Sequence, residues 1–381
     1  MTTCRGKTKE GNPCTKKIKD SESLCHLHKD QSSETNNDTI QTNPMPKPTK
    51  KVYPKIQPKP ILIPRIPKLK ILTEEEAINL EKAKVERAKI LNVWTFNINS
   101  VRNKIDFVDK LLIKHDIDIL LLTETKIQQK LESELKFHFN YNCIWNSNKN
   151  SYHHGVAFLY KKTLQIELLS NFLPSYDHEI NVKTKQKRTK NTDIIEEFRS
   201  TIPDDVEKIN YNEGRILTIK CTHNEKEIII VGTYVPNSGS KRLAFRTLSW
   251  DKNIFSYLLE LQNKYKDVIW LGDLNVTIRD NDLLNTNANV PGTTFEEVKN
   301  INDFLDEHQW IDTWHELNLN VTKCKNRSTW GPWSKFPLRL DYVICSPSLN
   351  DNIISSFNDQ YYDGSDHIPI GTKFKFDLVN I

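Results

Sequence analysis

From about Leu91 to the C-terminus the sequence predicts a large α/β domain, and two observations carry that expectation. Short apolar runs alternate with stretches in which apolar residues recur at helical spacing, and several of the runs break abruptly into Asp, Glu, Asn or His. The first pattern is that of strands interleaved with amphipathic helices. The second sets polar side chains at strand ends.

Ahead of that domain the composition changes twice. Residues 1–30 are polar and carry Cys4, Cys14, Cys25, His26 and His28. Residues 31–72 hold eight of the 17 prolines, with lysines between them, which predicts an extended, semi-rigid linker of polyproline character. Residues 73–90 are charged, with a helix expected over Glu74–Lys89, and lead into a domain at 91–381. There Ile90–Phe96 reads as a strand, and Lys104–His115 as a helix with Ile105, Val108, Leu111 and Leu112 on one face. Ile117–Leu122 is a second buried strand. Further strands are expected at Gly155–Tyr160, Arg215–Cys221, Ile228–Tyr234, Val268–Leu271 and Arg339–Cys345, and helices at Lys241–Gln262 and Phe295–Glu307. The polar, basic stretch 171–212 reads as an inserted loop.

The formal charge of +5 is unevenly placed: through Leu72 there are 15 Lys and Arg against 6 Asp and Glu. A cationic arm on a near-neutral body suits a polyanionic partner, because each Lys or Arg beside a phosphate releases counterions. A merely solvated tail has the same composition, so charge alone does not separate the two. The apolar run Ile61–Ile63 is cut by Pro64 and Pro67 and is far too short to span a bilayer, so no membrane partner is expected. The seven cysteines are scattered in a manner that suits a reducing, intracellular setting, not a disulfide framework.

The chemistry is concentrated where apolar runs deliver polar groups: Asn97-Ile98-Asn99, Glu124, Tyr234-Val235-Pro236-Asn237, Asp273-Leu274-Asn275, Asp341 and Asp366-His367. Carboxylates left there without a counter-charge would be unstable as ions. Several together make sense around a divalent cation, and oxygen donors from Asp, Glu and Asn suit magnesium or manganese. No Cys/His cluster in the body argues for zinc.

The ordered set N-I-N-S-V-R, L-L-T-E-T-K, E-G-R, Y-V-P-N-S-G, L-G-D-L-N-V, R-L-D-Y and G-S-D-H resembles the exonuclease III class of the endonuclease/exonuclease/phosphatase (DNase I-like) superfamily. The resemblance spans about 91–374. It implies a four-layered α/β sandwich, with two packed, mainly antiparallel β-sheets flanked by helices, and magnesium-assisted hydrolysis of a phosphodiester. Carried over position by position, Glu124 becomes the principal magnesium ligand, with Asp366, Asn97 and Asn99 beside it and Asp273 and Asn275 also among the groups around the ion. Asp273 orients and deprotonates the attacking water, and Asn275 donates a hydrogen bond to the phosphorane. His367, oriented by Asp341, contacts the scissile phosphate, and Tyr234 and Asn237 position it from the other side. Such a division of labour follows from the reaction: phosphodiester oxygens repel a nucleophile, so a cation must neutralise them while a base sharpens the water.

The resemblance implies a DNA-repair endonuclease cutting 5′ of abasic or damaged sites, with 3′-exonuclease or 3′-end-cleaning activity. Less selective nicking, as in retrotransposon endonucleases, and phosphatase activity are the alternatives. Two departures stand out: Asn99 lies where some members have Asp, and Ser100 replaces the usual Gly, which predicts a slightly altered turn. The loop before R-L-D-Y is short, and its Trp330, Trp333 and Phe336 either stack on DNA or pack on the sheet. For Trp330 packing on the sheet is the expectation. Near the N-terminus Cys4, Cys14, Cys25 and His28 offer a Cys₃His zinc set, with His26 a substitute for His28; a disordered tail is the alternative. A monomer acting on DNA, in the nucleus or another DNA-containing compartment, completes the expectation.

Overall fold

A computed structural model of the chain describes residues 2–3, 17–18, 73–176, 213–239, 241–283, 290–322, 324–331, 334, 336–360 and 364–377. The chain divides into two units, Met1–Lys70 and Ile71–Ile381. In the first, the described residues are two short strands, β1 (Thr2–Thr3) and β2 (Lys17–Ile18), paired antiparallel. Cys4, Cys14, Cys25 and His28, the proline-rich linker, nearly all of the basic insertion and Trp333 lie outside the described residues.

In the second unit, helix α1 (Glu74–Ala88) starts at Thr73, whose hydroxyl and Glu76 form a reciprocal capping box. The twelve strands that follow make two six-stranded sheets. One has the order β11 (Ile311–Asp312), β12 (Asp341–Cys345), β10 (Val268–Asp273), β9 (Lys226–Tyr234), β8 (Ile216–His223), β7 (Gln165–Ser170). The other runs β13 (Ile353–Asn358), β14 (Ile370–Lys375), β3 (Ile90–Asn97), β4 (Ile119–Thr123), β6 (Val156–Lys161), β5 (Tyr141–Asn146). Each sheet has one parallel pair, β9 with β10 and β3 with β4, and is otherwise antiparallel.

The unbroken apolar runs are explained by burial on both faces. Ile269 and Leu271 of β10, Ile228 and Ile230 of β9, and Leu91 and Val93 of β3 meet in the layer between the sheets. Their neighbours of opposite parity, Val268, Trp270, Ile229 and Val231, pack outward with Ile254 and Leu258 of helix α3 (Asp251–Tyr265) and Phe304 of helix α4 (Phe295–His308). On the second sheet Trp94, Phe96, Leu120 and Leu122 pack outward with Val108, Leu111 and Leu112 of helix α2 (Ile105–His115). Helix, sheet, sheet, helix is the four-layered sandwich the sequence implies. Burying one such Leu, Ile or Phe stabilises the fold by roughly 1.5–3 kcal/mol. Among the described residues no helix is long and apolar enough to cross a membrane.

One expected element is divided. In place of a single helix over Lys241–Gln262, a π-helical turn at Phe245–Trp250 precedes α3, which runs on to Tyr265. The wider turn seats the buried Arg246, which donates from Nε to Asp251 Oδ1 at 2.7 Å and from NH1 to the Leu274 carbonyl at 3.1 Å. That carbonyl lies between Asp273 and Asn275, so a departure from α-helical geometry supports the strand end that matters chemically.

Candidate active site

Strand parity decides which polar groups meet. Ile269 and Leu271 of β10 face the opposite sheet, and the next residue of that parity is Asp273. The same alternation leads from Leu91 and Val93 to Asn97, from Ile228 and Ile230 to Tyr234, and from Cys345 and Val343 back to Asp341. Asp341 opens β12 directly opposite Asp273, and Tyr234 ends β9 beside it. Groups far apart in sequence therefore emerge at one end of the layer between the sheets.

They are joined by short hydrogen bonds. The Asn97 amide donates one hydrogen to Glu124 Oε1 at 3.0 Å and the other to Asp273 Oδ2 at 2.9 Å, which ties the two sheets together. The Tyr234 hydroxyl donates to Glu124 Oε1 at 2.8 Å. Glu124 sits just past β4 with φ of +50°, Asn99 and Ser100 have φ of +46° and +80°, and the Ser100 N–H closes the two turns onto each other by donating to the Glu124 carbonyl at 2.8 Å. Asn99 Nδ2 reaches Asp366 Oδ1 at 2.8 Å, and Asn99 N–H donates to Asn97 Oδ1 at 3.1 Å. On the other flank, Asn275 N–H donates to Asp273 Oδ1 at 2.9 Å, Asn275 Nδ2 donates to the Val235 carbonyl at 2.9 Å, and Asn237 Nδ2 donates to Asn275 Oδ1 at 3.1 Å. His367 lies between two carboxylates, its Nδ1 2.7 Å from Asp341 Oδ2 and its Nε2 3.9 Å from Asp273 Oδ2.

Electrostatics separate the acids. Burial, then the Asp341 charge, raises the Asp273 carboxyl to about 7, against the opposing charge of His367. Burial works to lower His367, but Asp341, Asp273 and Asp366 outweigh it and raise the imidazole to about 9. Glu124 goes the other way: burial opposes ionisation, yet hydrogen bonds from Lys126, Asn97 and Tyr234 hold it below the usual carboxylate range. Asp366 is likewise held low, burial being outweighed by the His367 charge and the Asn99 hydrogen bond.

Two sets of donors bear on metal binding. Asp273, Asp341 and His367 each offer a ligand atom within 4.8 Å of the others. His367 Nδ1 is already engaged by Asp341, so this set also satisfies itself as a buried cluster of ion pairs. The second set fits a hard cation. Lys126 Nζ lies 2.6 Å from both Glu124 Oε2 and Asn99 Oδ1, so carboxylate and amide oxygens already converge on positive charge there, with Asp366 tied to the same Asn99. Oxygen donors of this kind suit magnesium or manganese.

These groups border a cleft of about 810 Å³ whose far wall is apolar, with Leu283, Pro291, Phe336 and Leu340 among its lining. Trp330 lines the cleft: it is half-buried and donates from Nε1 to Asp366 Oδ2 at 3.3 Å. The indole N–H needs a polar partner, and Asp366 supplies one at the rim. Phe336 is exposed at the cleft edge. Arg102 is exposed above the Tyr152 ring, 4.6 Å from its centroid. The T-E-T-K motif contains Lys126 but gives no sign of its task, and nothing in the local sequence marks Arg246 or His154.

The sequence model of the endonuclease/exonuclease/phosphatase family matches residues 94–367. A DNA-(apurinic or apyrimidinic site) endonuclease from Dictyostelium discoideum is 30% identical over 310 residues, covering 77% of this chain and 73% of that protein. An exodeoxyribonuclease from Bacillus subtilis is 27% identical over 294 residues, covering 73% of this chain and 96% of that protein. In fold, the crystal structure of an AP endonuclease from Leishmania major matches with a TM-score of 0.61 at 20% identity, over 78% of this chain and 91% of that one.

Proposed function

This chain belongs to the endonuclease/exonuclease/phosphatase family, and from that premise we propose that it is a magnesium-dependent DNA endonuclease cutting 5′ of abasic or damaged sites. The observation that carries the reading is the Asn97 bridge: one amide fixes Glu124 on one sheet against Asp273 on the other, beside a protonated His367. Nuclease chemistry needs an anion-neutralising site and a proton acceptor a few ångströms apart, and this arrangement holds both rigidly.

Glu124, Asp366, Asn97 and Asn99 are the groups that would hold a divalent cation, which when bound neutralises the phosphate and polarises it toward attack. Asp273, raised to about 7, accepts a proton from water as the water oxygen bonds to phosphorus. Asn275 keeps one amide hydrogen for a phosphate oxygen. His367, cationic and held by Asp341, donates to the oxygen on which charge grows, and removal of one such donor typically costs on the order of 100-fold in rate. The P–O3′ bond breaks, leaving a 3′-hydroxyl and a 5′-phosphate. Tyr234 and Asn237 border the phosphate from the far side. The similarity to an exodeoxyribonuclease and to AP endonucleases supports DNA as the substrate, and the apolar wall suits a nucleotide turned out of the helix.

The test is a duplex oligonucleotide with one abasic analogue beside its undamaged counterpart, each with magnesium and with EDTA. Magnesium-dependent cutting at the analogue is expected. Equal cutting of undamaged duplex would point to a nicking nuclease, and unchanged cutting in EDTA would overturn the proposal.

A further inference from the structure

We propose that His154, Arg215 and Glu213 form a clamp that fixes Tyr234 for catalysis, with His154 as a positioning residue. The inference rests on the reading of the site as a phosphodiesterase centre.

Tyr234 delivers its hydroxyl to Glu124, but a phenol at the end of a strand needs its ring held if that 2.8 Å bond is to be constant. Two groups hold it. The Arg215 guanidinium lies over the ring, 4.7 Å from the centroid, and the His154 ring lies against it with centroids 5.9 Å apart. Arg215 is only 3% exposed, and its nitrogens are directed to three partners. Nε donates to Glu213 Oε2 at 2.5 Å, NH1 to the Tyr234 carbonyl at 3.1 Å, and NH2 to His154 Nδ1 at 2.8 Å. The backbone is locked as well, since Tyr234 N–H donates to the Arg215 carbonyl at 2.8 Å.

His154 is in the left-handed region, with φ of +60°. Few residues other than glycine enter that region, and histidine is, with asparagine and aspartate, among those that do so most readily. Its ring presents an acceptor to Arg215 NH2, which lies 2.8 Å from Nδ1 and 3.2 Å from Nε2, and Nε2 also faces Glu213 Oε2 at 3.5 Å. Burial, then the Arg215 charge, lowers this imidazole to about 4, consistent with an acceptor. Glycine keeps this backbone conformation but removes the ring, whereas asparagine keeps both the conformation and an acceptor.

That contrast gives the experiment, in the full chain, with His154→Gly and His154→Asn made in the wild-type and Tyr234→Phe backgrounds. Cleavage of the abasic-analogue duplex and magnesium binding to the DNA-free protein by calorimetry are measured beside thermal melting. His154→Gly is expected to lower kcat about tenfold with KM within about twofold, although its melting temperature does not fall. His154→Asn restores most of the rate, because Oδ1 of asparagine occupies the place of Nδ1. With Tyr234→Phe already present, His154→Gly adds less than about twofold, since no hydroxyl remains to be positioned. Magnesium binds several-fold more weakly to His154→Gly than to wild type. Losses that multiply in the double variant, an asparagine variant as slow as glycine, or unchanged magnesium affinity would each overturn the clamp. A wild-type chain that binds magnesium but leaves the abasic duplex intact would overturn the functional reading instead, and the calorimetry would still decide the clamp.

Discussion

Gly232 lies at a close approach of the two sheets, and adding a single methyl group there tests whether the site depends on their separation. A Cβ at this position would stand 2.5 Å from Leu121 Cδ1 and 2.7 Å from Phe158 Cζ. Carbon atoms prefer about 3.5–4.0 Å. Both neighbours belong to the other sheet and are wholly buried, so neither can swing into solvent. Gly232→Ala should therefore destabilise the fold by about 1–3 kcal/mol, the usual range for overpacking a dense core. It should also slow the reaction, because any spreading of the sheets stretches the Asn97 hydrogen bonds to Glu124 and Asp273, now 3.0 and 2.9 Å. Urea denaturation and cleavage of the abasic-analogue duplex measure the two effects. Leu121→Ala alone should destabilise by about 2–5 kcal/mol through the cavity it leaves. In the double variant the new methyl group fills part of that cavity, so the combined loss should fall short of the sum by at least about 1 kcal/mol. Effects that add within about 0.5 kcal/mol, or a Gly232→Ala chain with undiminished kcat, would refute the reasoning.

Asn97→Ala should destabilise the fold by about 1–3 kcal/mol and reduce kcat on the order of 100-fold, since Glu124 and Asp273 lose their shared buried donor; a rate loss under about threefold counts against the bridge. Ser100→Gly should raise stability by about 1 kcal/mol in urea denaturation, because serine at φ +80° is strained and glycine is not. The His154 imidazole, lowered to about 4, stays neutral in the folded chain while the unfolded chain takes up a proton near 6.5. The unfolded state then binds more protons, so this residue's share of stability is present above about 6.5 and is lost as pH falls toward about 4, by up to about 3 kcal/mol. His154→Asn should remove that part of the slope in denaturation midpoints compared at pH 7 and pH 4.5; identical slopes would contradict it. Elemental analysis of the full chain should find about one zinc per molecule, lost in Cys14→Ser, if Cys4, Cys14, Cys25 and His28 form a tetrahedral site.

The strands legible in the sequence are those buried on both faces, because only these produce unbroken apolar runs. The β5, β7 and β13 strands went unread for the opposite reason. They lie at sheet edges, each is only partly buried, and polar residues such as Asn142, Glu167 and Ser355 interrupt them. The β14 strand is interior but has Gly371-Thr372-Lys373 at its centre, a poor strand signal. The glycine is needed because a Cβ there would stand 2.3 Å from the Trp94 indole, a contact 277 residues apart in the chain that periodicity cannot reveal. Site residues divide in the same way. Asn97, Tyr234, Asp273 and Asp341 were legible because each continues the parity of an apolar run. His154 was not, since its task arises from Arg215, 61 residues later. Lys126 is intermediate: it stood in a quoted motif, but only the fold shows that it joins Glu124 to Asn99.

The charge at the strand ends gives an independent argument for a divalent ion. Glu124, Asp273, Asp341 and Asp366 supply four carboxylates, while Lys104, Lys126 and His367 supply three cations: Lys126 beside Glu124, Lys104 near Asp366 and Glu124, and His367 between Asp341 and Asp273. With all seven ionised the cluster would carry a net charge of −1 (four carboxylates against three cations), into which a DNA phosphate must bring a further negative charge. Such an excess in a cleft with one apolar wall would repel the substrate, and the weakening of that field by solvent is limited where walls exclude water. Raising Asp273 to about 7 relieves part of it, which is why the residue best placed to accept a proton is also the one that ionises least readily. A divalent ion among the Glu124, Asn99 and Asp366 oxygens would outweigh the remainder. Lys104 and Lys126 together leave the cluster negative, whereas an ion of charge two would make it net positive and so attractive to a phosphate.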